Sequence, residues 1–180
     1  MREPLPYMQH DEGEHHLDFK PGPLQEAWEA QRERIKPQLL RQIEAAFDGV
    51  ELGGGVSLHQ ARAMDDYAPA EEIRAARAED TERRWQDVSD EKLDRLHDTL
   101  PHMDSEGFRF YIPRFMTFAL RNESSQNFAC GDAIYWTDTP ERYARHLNLL
   151  SDEQREAIEA FAGFFSEGRE FRRGRRSRGI

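Results

Sequence analysis

The stretch DSEGFRFYIPRFM, residues 104–116, has the densest aromatic pattern in this 180-residue chain. Phe108 and Phe110 alternate with Arg109 and Tyr111, and such alternation is typical of a short strand. A strand here would turn the two phenylalanines to one face and the arginine and the tyrosine to the other. We interpret this corner first as the element that holds the core together.

A proline suits the first turn of a helix, so Pro113 predicts a helix directly after the strand. A second candidate strand, AIYW, occupies residues 133–136 and is expected to pair with the first as a small ribbon. Elsewhere the apolar residues recur at helical spacing. The sequence therefore predicts a mainly α fold of about six or seven helices, with a two- or three-stranded β element around residues 108–112 and 133–136.

Helix boundaries are marked by capping residues, prolines and glycines. Helix starts are predicted at Pro23, Ser57, Ser89 and Ser151. Asp104 is expected to cap a turn or a helix. Pro37 is expected to interrupt the first helix, Gly168 to end the last one, and a long charged helix is predicted around Trp85.

The length favours one domain, because two separate cores in 180 residues would each be small. Residues 1–22 lack an apolar period and are predicted to form a flexible arm. Residues 23–168 are predicted to be the globular domain, and residues 169–180 a disordered basic tail. Six arginines against one glutamate give that tail a local charge of +5, whereas the whole chain carries −10.

The composition also argues against a disulfide-bonded, zinc-thiolate, membrane-spanning or secreted protein. The single cysteine, Cys130, excludes an internal disulfide framework and a thiolate-rich zinc site. No apolar run reaches the ~20 residues that cross a bilayer, so no membrane span is expected. The N-terminus lacks the layout of a secretory signal, so we expect a cytoplasmic protein.

Four stretches together, GVSLHQARAMDDY, RAEDTERRW, DSEGFRFYIPRFM and LSDEQREAIEAF, resemble an uncharacterised bacterial family of small soluble proteins, a domain of unknown function. The resemblance covers roughly residues 38–166, and its specific element is the pattern D-x-E-G-F-R-F-Y-[LI]-P-x-F-M over residues 104–116. Residues 127–139 depart from the pattern of the family. The family positions map onto Asp65 or Asp66, Arg77, Asp80, Trp85, Asp104, Gly107, Arg109, Tyr111 and Pro113. The resemblance implies a shared fold unit and no activity.

The preferred hypothesis is a non-enzymatic binding protein that docks a basic protein partner through an acidic, aromatic-containing surface. An immunity or antitoxin-like protein, whose acids cover a cationic cleft, is one type that fits. No cofactor is predicted. Nucleic acid is a further possible partner of the basic tail, through Arg172, Arg173, Arg175 and Arg176.

The alternative is a metal-dependent hydrolase or phosphate-handling enzyme that uses the acidic and basic residues near 102–111. Its catalytic candidates are Asp80, Asp104, Arg109 and Tyr111. Its candidate ligands for a divalent metal are Asp65, His102 and Asp104. The same residues can instead have a purely structural role. In that case Arg109 forms a buried ion pair with Asp65, Asp80 or Asp104.

Overall fold

The structure is a computed structural model that describes residues 22–123 and 127–177, except for the side chains of residues 172–177. Within these residues the chain forms α-helices joined by loops and short 3-10 helices. The α-helices are α1 (Pro23–Ala46), α2 (Leu58–Asp65), α3 (Ala70–Ala76), α4 (Asp90–Arg95), α5 (Ser105–Arg121), α6 (Phe128–Thr137) and α7 (Asp152–Ser177). The 3-10 helices are Arg77–Glu79, Trp85–Asp87, His97–His102, Pro140–Arg142 and Ala144–Leu149.

α5 is the central helix of the fold. It packs on α1, α6 and the 3-10 helix Ala144–Leu149, and every residue from Gly107 to Leu120 except Arg109 is buried. The fold is mainly α, but the predicted β element around residues 108–112 and 133–136 is wrong, because the described residues contain no strand. Nearly every residue from Gly107 to Leu120 is buried, so the short alternation at residues 108–111 does not distinguish a strand from a buried helix.

The two prolines inside helices do not break them. Pro113 lies well inside α5, and Pro37 lies inside α1. A proline inside a helix removes one backbone hydrogen bond, at a cost of about 3 kcal/mol. Core packing offsets that cost, since Leu39 and Ile43 beyond Pro37 are buried. The predicted helix start at Pro113 and the predicted interruption at Pro37 are therefore wrong.

α7 lies antiparallel to α1 along one side of the domain. Gln154, in the first turn of α7, donates from Nε2 to the carbonyl of Ala46 at the end of α1 over 3.0 Å. Near the opposite ends, the rings of Trp28 and Phe171 stack with centroids 4.8 Å apart. α7 continues past Gly168, so the predicted helix end there is wrong.

The predicted long helix around Trp85 is also absent. The α-helical geometry ends with α3, and Trp85 begins the short 3-10 helix Trp85–Asp87. Trp85 is buried, and its Nε1 donates to the carbonyl of Phe47 over 2.9 Å. The helix starts predicted at Pro23, Ser57, Ser89 and Ser151 are confirmed.

The division into arm, domain and tail stays a prediction. Residues 1–21 and 178–180 lie outside the described residues, as do the side chains of Arg172, Arg173, Arg175 and Arg176. Across residues 22–123 and 127–177, no helix combines the length and the apolar character that a membrane span requires.

Candidate functional site

Asp104 caps α5 and ties a loop to it. Its Oδ1 accepts hydrogen bonds from the backbone amide of Gly107 over 2.8 Å and from that of Val56 over 3.0 Å. The predicted capping role is confirmed. The carboxylate joins the loop before α2 to the amino end of α5, where the helix dipole favours a negative charge.

Asp80 is a buried anchor at the start of α2. Its side chain is 1% exposed, and its carboxylate contacts the backbone amide and the ring Nδ1 of His59, each over 2.8 Å. Lys92 places its Nζ 3.2 Å from the same carboxylate. Burial raises the pKa of Asp80, but the side chain of Ser57 and the amide and ring of His59 outweigh it and hold the pKa below its usual value. Asp80 is therefore ionised, and its carboxylate binds the first turn of α2 through His59.

Tyr111 belongs to the core beside Asp80. Its side chain is buried, and burial, followed by the charge of Asp80, raises the pKa of the phenol. The backbone of Leu58 provides a hydrogen bond to that phenol. Arg77 lies closer to the surface and donates to the carbonyls of Gly53 and Gly55, so it fixes the glycine loop before α2.

Arg109 has a neutral partner. Its Nε donates to the side-chain oxygen of Gln154 over 3.2 Å, which links α5 to the start of α7. The three carboxylates proposed for an ion pair with Arg109 are engaged elsewhere. The expected buried pair with Asp65, Asp80 or Asp104 is therefore wrong.

The candidate metal ligands also separate. Asp65 pairs with His102, whose Nε2 lies 3.0 Å from its Oδ1, and it also lies 3.5 Å from Arg62. Asp104 is occupied at the cap of α5. Across residues 22–123 and 127–177, no group of three or more His, Cys, Asp or Glu side chains is arranged to hold a metal ion. The candidate ligands Asp65 and Asp104 thus have separate partners.

A groove of about 710 Å³ lies instead between α2 and α3. Its apolar lining consists of Ala63, Ala68, Pro69, Ala75 and Ala76. Its polar and aromatic lining consists of His59, Arg62, Asp66, Tyr67, Glu72 and Glu79. The volume is in the range of ligand pockets, roughly 300–1,000 Å³.

Tyr67 projects from the chain at this groove. It follows the end of α2 with a left-handed φ of +55°, and 95% of its surface is exposed. Tyr67 N donates to the carbonyl of Met64 over 3.1 Å, and Ala68 N donates to that of Ala63 over 2.9 Å. This is the Schellman arrangement, in which glycine usually occupies the left-handed position. A tyrosine there is strained by about 1–2 kcal/mol.

The carboxylates beside Tyr67 differ from the buried ones in their partners. Asp66 and Glu72 are exposed, and neither forms an ion pair with another described residue. Glu79 Oε2 lies 3.5 Å from Nε2 of His59. The groove therefore has negative groups at its edge that an incoming cation can neutralise.

Sequence reasoning missed His59, Tyr67 and the groove. His59 sits in a capped helix start, and only the tertiary structure brings Asp80 to its ring. The sequence contained one signal for Tyr67. The segment DDYAP ends an amphipathic stretch and contains no glycine, so a residue other than glycine must end the helix there.

No curated protein and no solved structure matches the chain. A family model matches residues 35–177, and its description is a family of unknown function, DUF6714. The match includes α2 to α6, the groove and the capped start of α5. This coverage agrees with the expected membership of an uncharacterised family, and the chain belongs to the family of unknown function DUF6714.

Proposed function

We propose that the chain is a binding protein that docks a basic protein partner in the groove between α2 and α3. The observation that carries the proposal is Tyr67, a strained and almost fully exposed aromatic residue beside free carboxylates. Local backbone strain persists where the surroundings enforce it, and it concentrates at functional sites. A glycine at this position would end α2 without that strain.

The chemistry of the groove suits a lysine or arginine side chain. The ring of Tyr67 stacks on no other described ring and lies under no described cation, so its face is open to a cation–π contact. Asp66 and Glu72 supply carboxylates for the same cation. The alanine lining offers an apolar floor for the methylene stem of a long basic side chain.

The net charge of −10 supports the same class of partner. A negative surface attracts a positively charged protein over a Debye length of about 8 Å and raises the rate of encounter. A partner with a cationic cleft, as in immunity and antitoxin-like pairs, fits this field. The charges of the groove then position the partner after encounter.

The test uses two labelled peptides, one of alternating arginine and alanine and one of alternating glutamine and alanine. Fluorescence anisotropy measures their affinity for the full chain and for the variant Asp66→Asn/Glu72→Gln. We expect binding of the arginine peptide only, and a loss of about tenfold in the variant, which corresponds to about 1.4 kcal/mol. Binding should also weaken as salt rises.

A matched control removes the same charge elsewhere. Glu156→Gln/Glu159→Gln changes two exposed carboxylates on α7 that form no ion pair with other described residues. We expect this variant to bind nearly as well as the unchanged chain. Equal losses in both double variants would show a nonspecific acidic surface and would contradict the proposal.

A further inference from the structure

α6 presents an apolar surface to both sides of the helix. Its sequence FACGDAIYWT has one charged residue, Asp132. Ala129, Cys130, Ala133 and Thr137 are buried, and α6 packs on α5. A helix that is apolar all round is normally covered on all sides, so we expect the side of α6 that faces away from α5 to have a partner as well.

The other side of α6 has two exposed aromatic residues with a gap between them. Phe128 is 73% exposed and Tyr135 is 51% exposed. Gly131 lies about one turn from each, and a Cβ placed on it would meet no atom within 4 Å. The three residues form a stripe, here called the α6 face, in which the glycine lets another backbone approach closely.

The polar groups beside the α6 face already have partners in the same chain. Asp132 Oδ2 lies 2.7 Å from Nδ1 of His97, and the His97 ring stacks on Phe128 at 5.2 Å. The guanidinium of Arg142 lies 3.7 Å from the ring centroid of Tyr135. Unlike the α2–α3 groove, this face therefore does not need a strongly basic partner to neutralise it.

Opposite charges mark the two ends of the face. At the amino end, Asp94 is exposed and accepts a hydrogen bond from Asn127 Nδ2 over 2.6 Å. At the carboxyl end, Arg142 lies over Tyr135. A second copy placed antiparallel brings the acidic end of one face to the basic end of the other, twice by symmetry.

We propose that the α6 face is the contact between two copies of this chain, related by a two-fold axis near Gly131. Phe128 of each copy packs against Tyr135 of the other, and Asp94 of each copy faces Arg142 of the other. Aromatic residues and depleted charge are typical of the centre of such contacts. The charge complementarity of the two ends favours a second copy over an unrelated partner.

Sedimentation equilibrium of the full chain tests the proposal. We expect a reversible dimer with a dissociation constant of about 10 μM, as for a small interface. Gly131→Arg should weaken it at least tenfold, because the new side chain occupies the space of the second helix. The variant should fold, since Gly131 has open space around it. Gly163→Arg, at another open helical glycine on α7, should leave the dimer unchanged.

A charge exchange separates this geometry from other modes of self-association. Asp94→Arg alone and Arg142→Glu alone should each weaken the dimer, and the double variant should recover it, because opposite charges meet again. A monomer at every concentration up to about 1 mM would overturn the proposal. A dimer that tolerates Gly131→Arg, or a double variant no better than the singles, would overturn it too.

Discussion

Gly55 and Gly107 approach so closely that neither position has room for a side-chain carbon. A Cβ on Gly55 would lie 2.5 Å from the amide nitrogen of Gly107, and a Cβ on Gly107 would lie under 3.0 Å from the carbonyl oxygen of Val56. Asp104 accepts hydrogen bonds from Val56 and Gly107 at the same junction. The loop before α2 is thus pressed against the first turn of α5.

The first prediction concerns this junction. Gly107→Ala should lower the free energy of unfolding by about 1–3 kcal/mol, because backbone atoms must move to admit the methyl group. Chemical denaturation measures the difference. Gly131→Ala is the matched control within a helix, and it should raise stability by about 0.5–1 kcal/mol, since nothing obstructs its methyl group. Equal effects of the two substitutions would contradict the close approach.

The second prediction concerns Asp80. Asp80→Asn keeps the shape of the side chain and removes the charge that faces the backbone amide and ring of His59, and it leaves Lys92 with Glu82 as its carboxylate partner among the described residues. We expect a loss of about 2 kcal/mol in the free energy of unfolding, because buried hydrogen bonds to a charged carboxylate are weakened. Asp87→Asn removes the partner of Arg84 in an exposed ion pair and should have no measurable effect. Similar denaturation midpoints for both variants would argue against a buried role for Asp80.

The third prediction is a pH dependence from His146. Its ring is 2% exposed and stacks on Phe108 at 4.3 Å, and burial, followed by the charge of Arg145, lowers its pKa to about 4. Above the pKa of an unfolded histidine, about 6.5, both states are neutral. As pH falls toward 4, the unfolded state takes up the proton and the folded state does not, so stability is lost. The loss should reach about 3 kcal/mol.

The measurement for His146 is the free energy of unfolding between about pH 7 and pH 4. His146→Phe keeps an aromatic ring against Phe108 and removes the titrating group, so its stability should depend less on pH. Identical pH slopes for the variant and the unchanged chain would show that other groups cause the acid sensitivity.

The fourth prediction separates structure from function at Tyr67. Tyr67→Gly relieves the left-handed strain and should raise the free energy of unfolding by about 1 kcal/mol. The same change should weaken binding of the arginine peptide, because the ring is lost. Thermal unfolding and fluorescence anisotropy give the two effects. A variant that gains stability and keeps full affinity would remove Tyr67 from the docking surface.

Local signals in the sequence predicted the parts of the fold that depend on neighbours along the chain. The helix caps at Ser57, Ser89 and Asp104 were predicted because a capping side chain reaches only two or three residues ahead. The strand at residues 108–112 was wrongly predicted because the structure there depends on tertiary packing and not on neighbours along the chain. Alternation over four residues does not separate a strand from a helix that is buried over nearly its whole length, as α5 is from Gly107 to Leu120.

The sequence by itself determined a mainly α, acidic chain with capped helices and an aromatic centre, because composition and capping act over short distances. Only the tertiary structure decided that Asp80 meets His59, that Arg109 meets Gln154 and that Tyr67 borders a groove. Such partners are far apart in the chain, and many acids compete for each base. The packing of the helices against one another selects among them, and this choice cannot be read from a local sequence pattern.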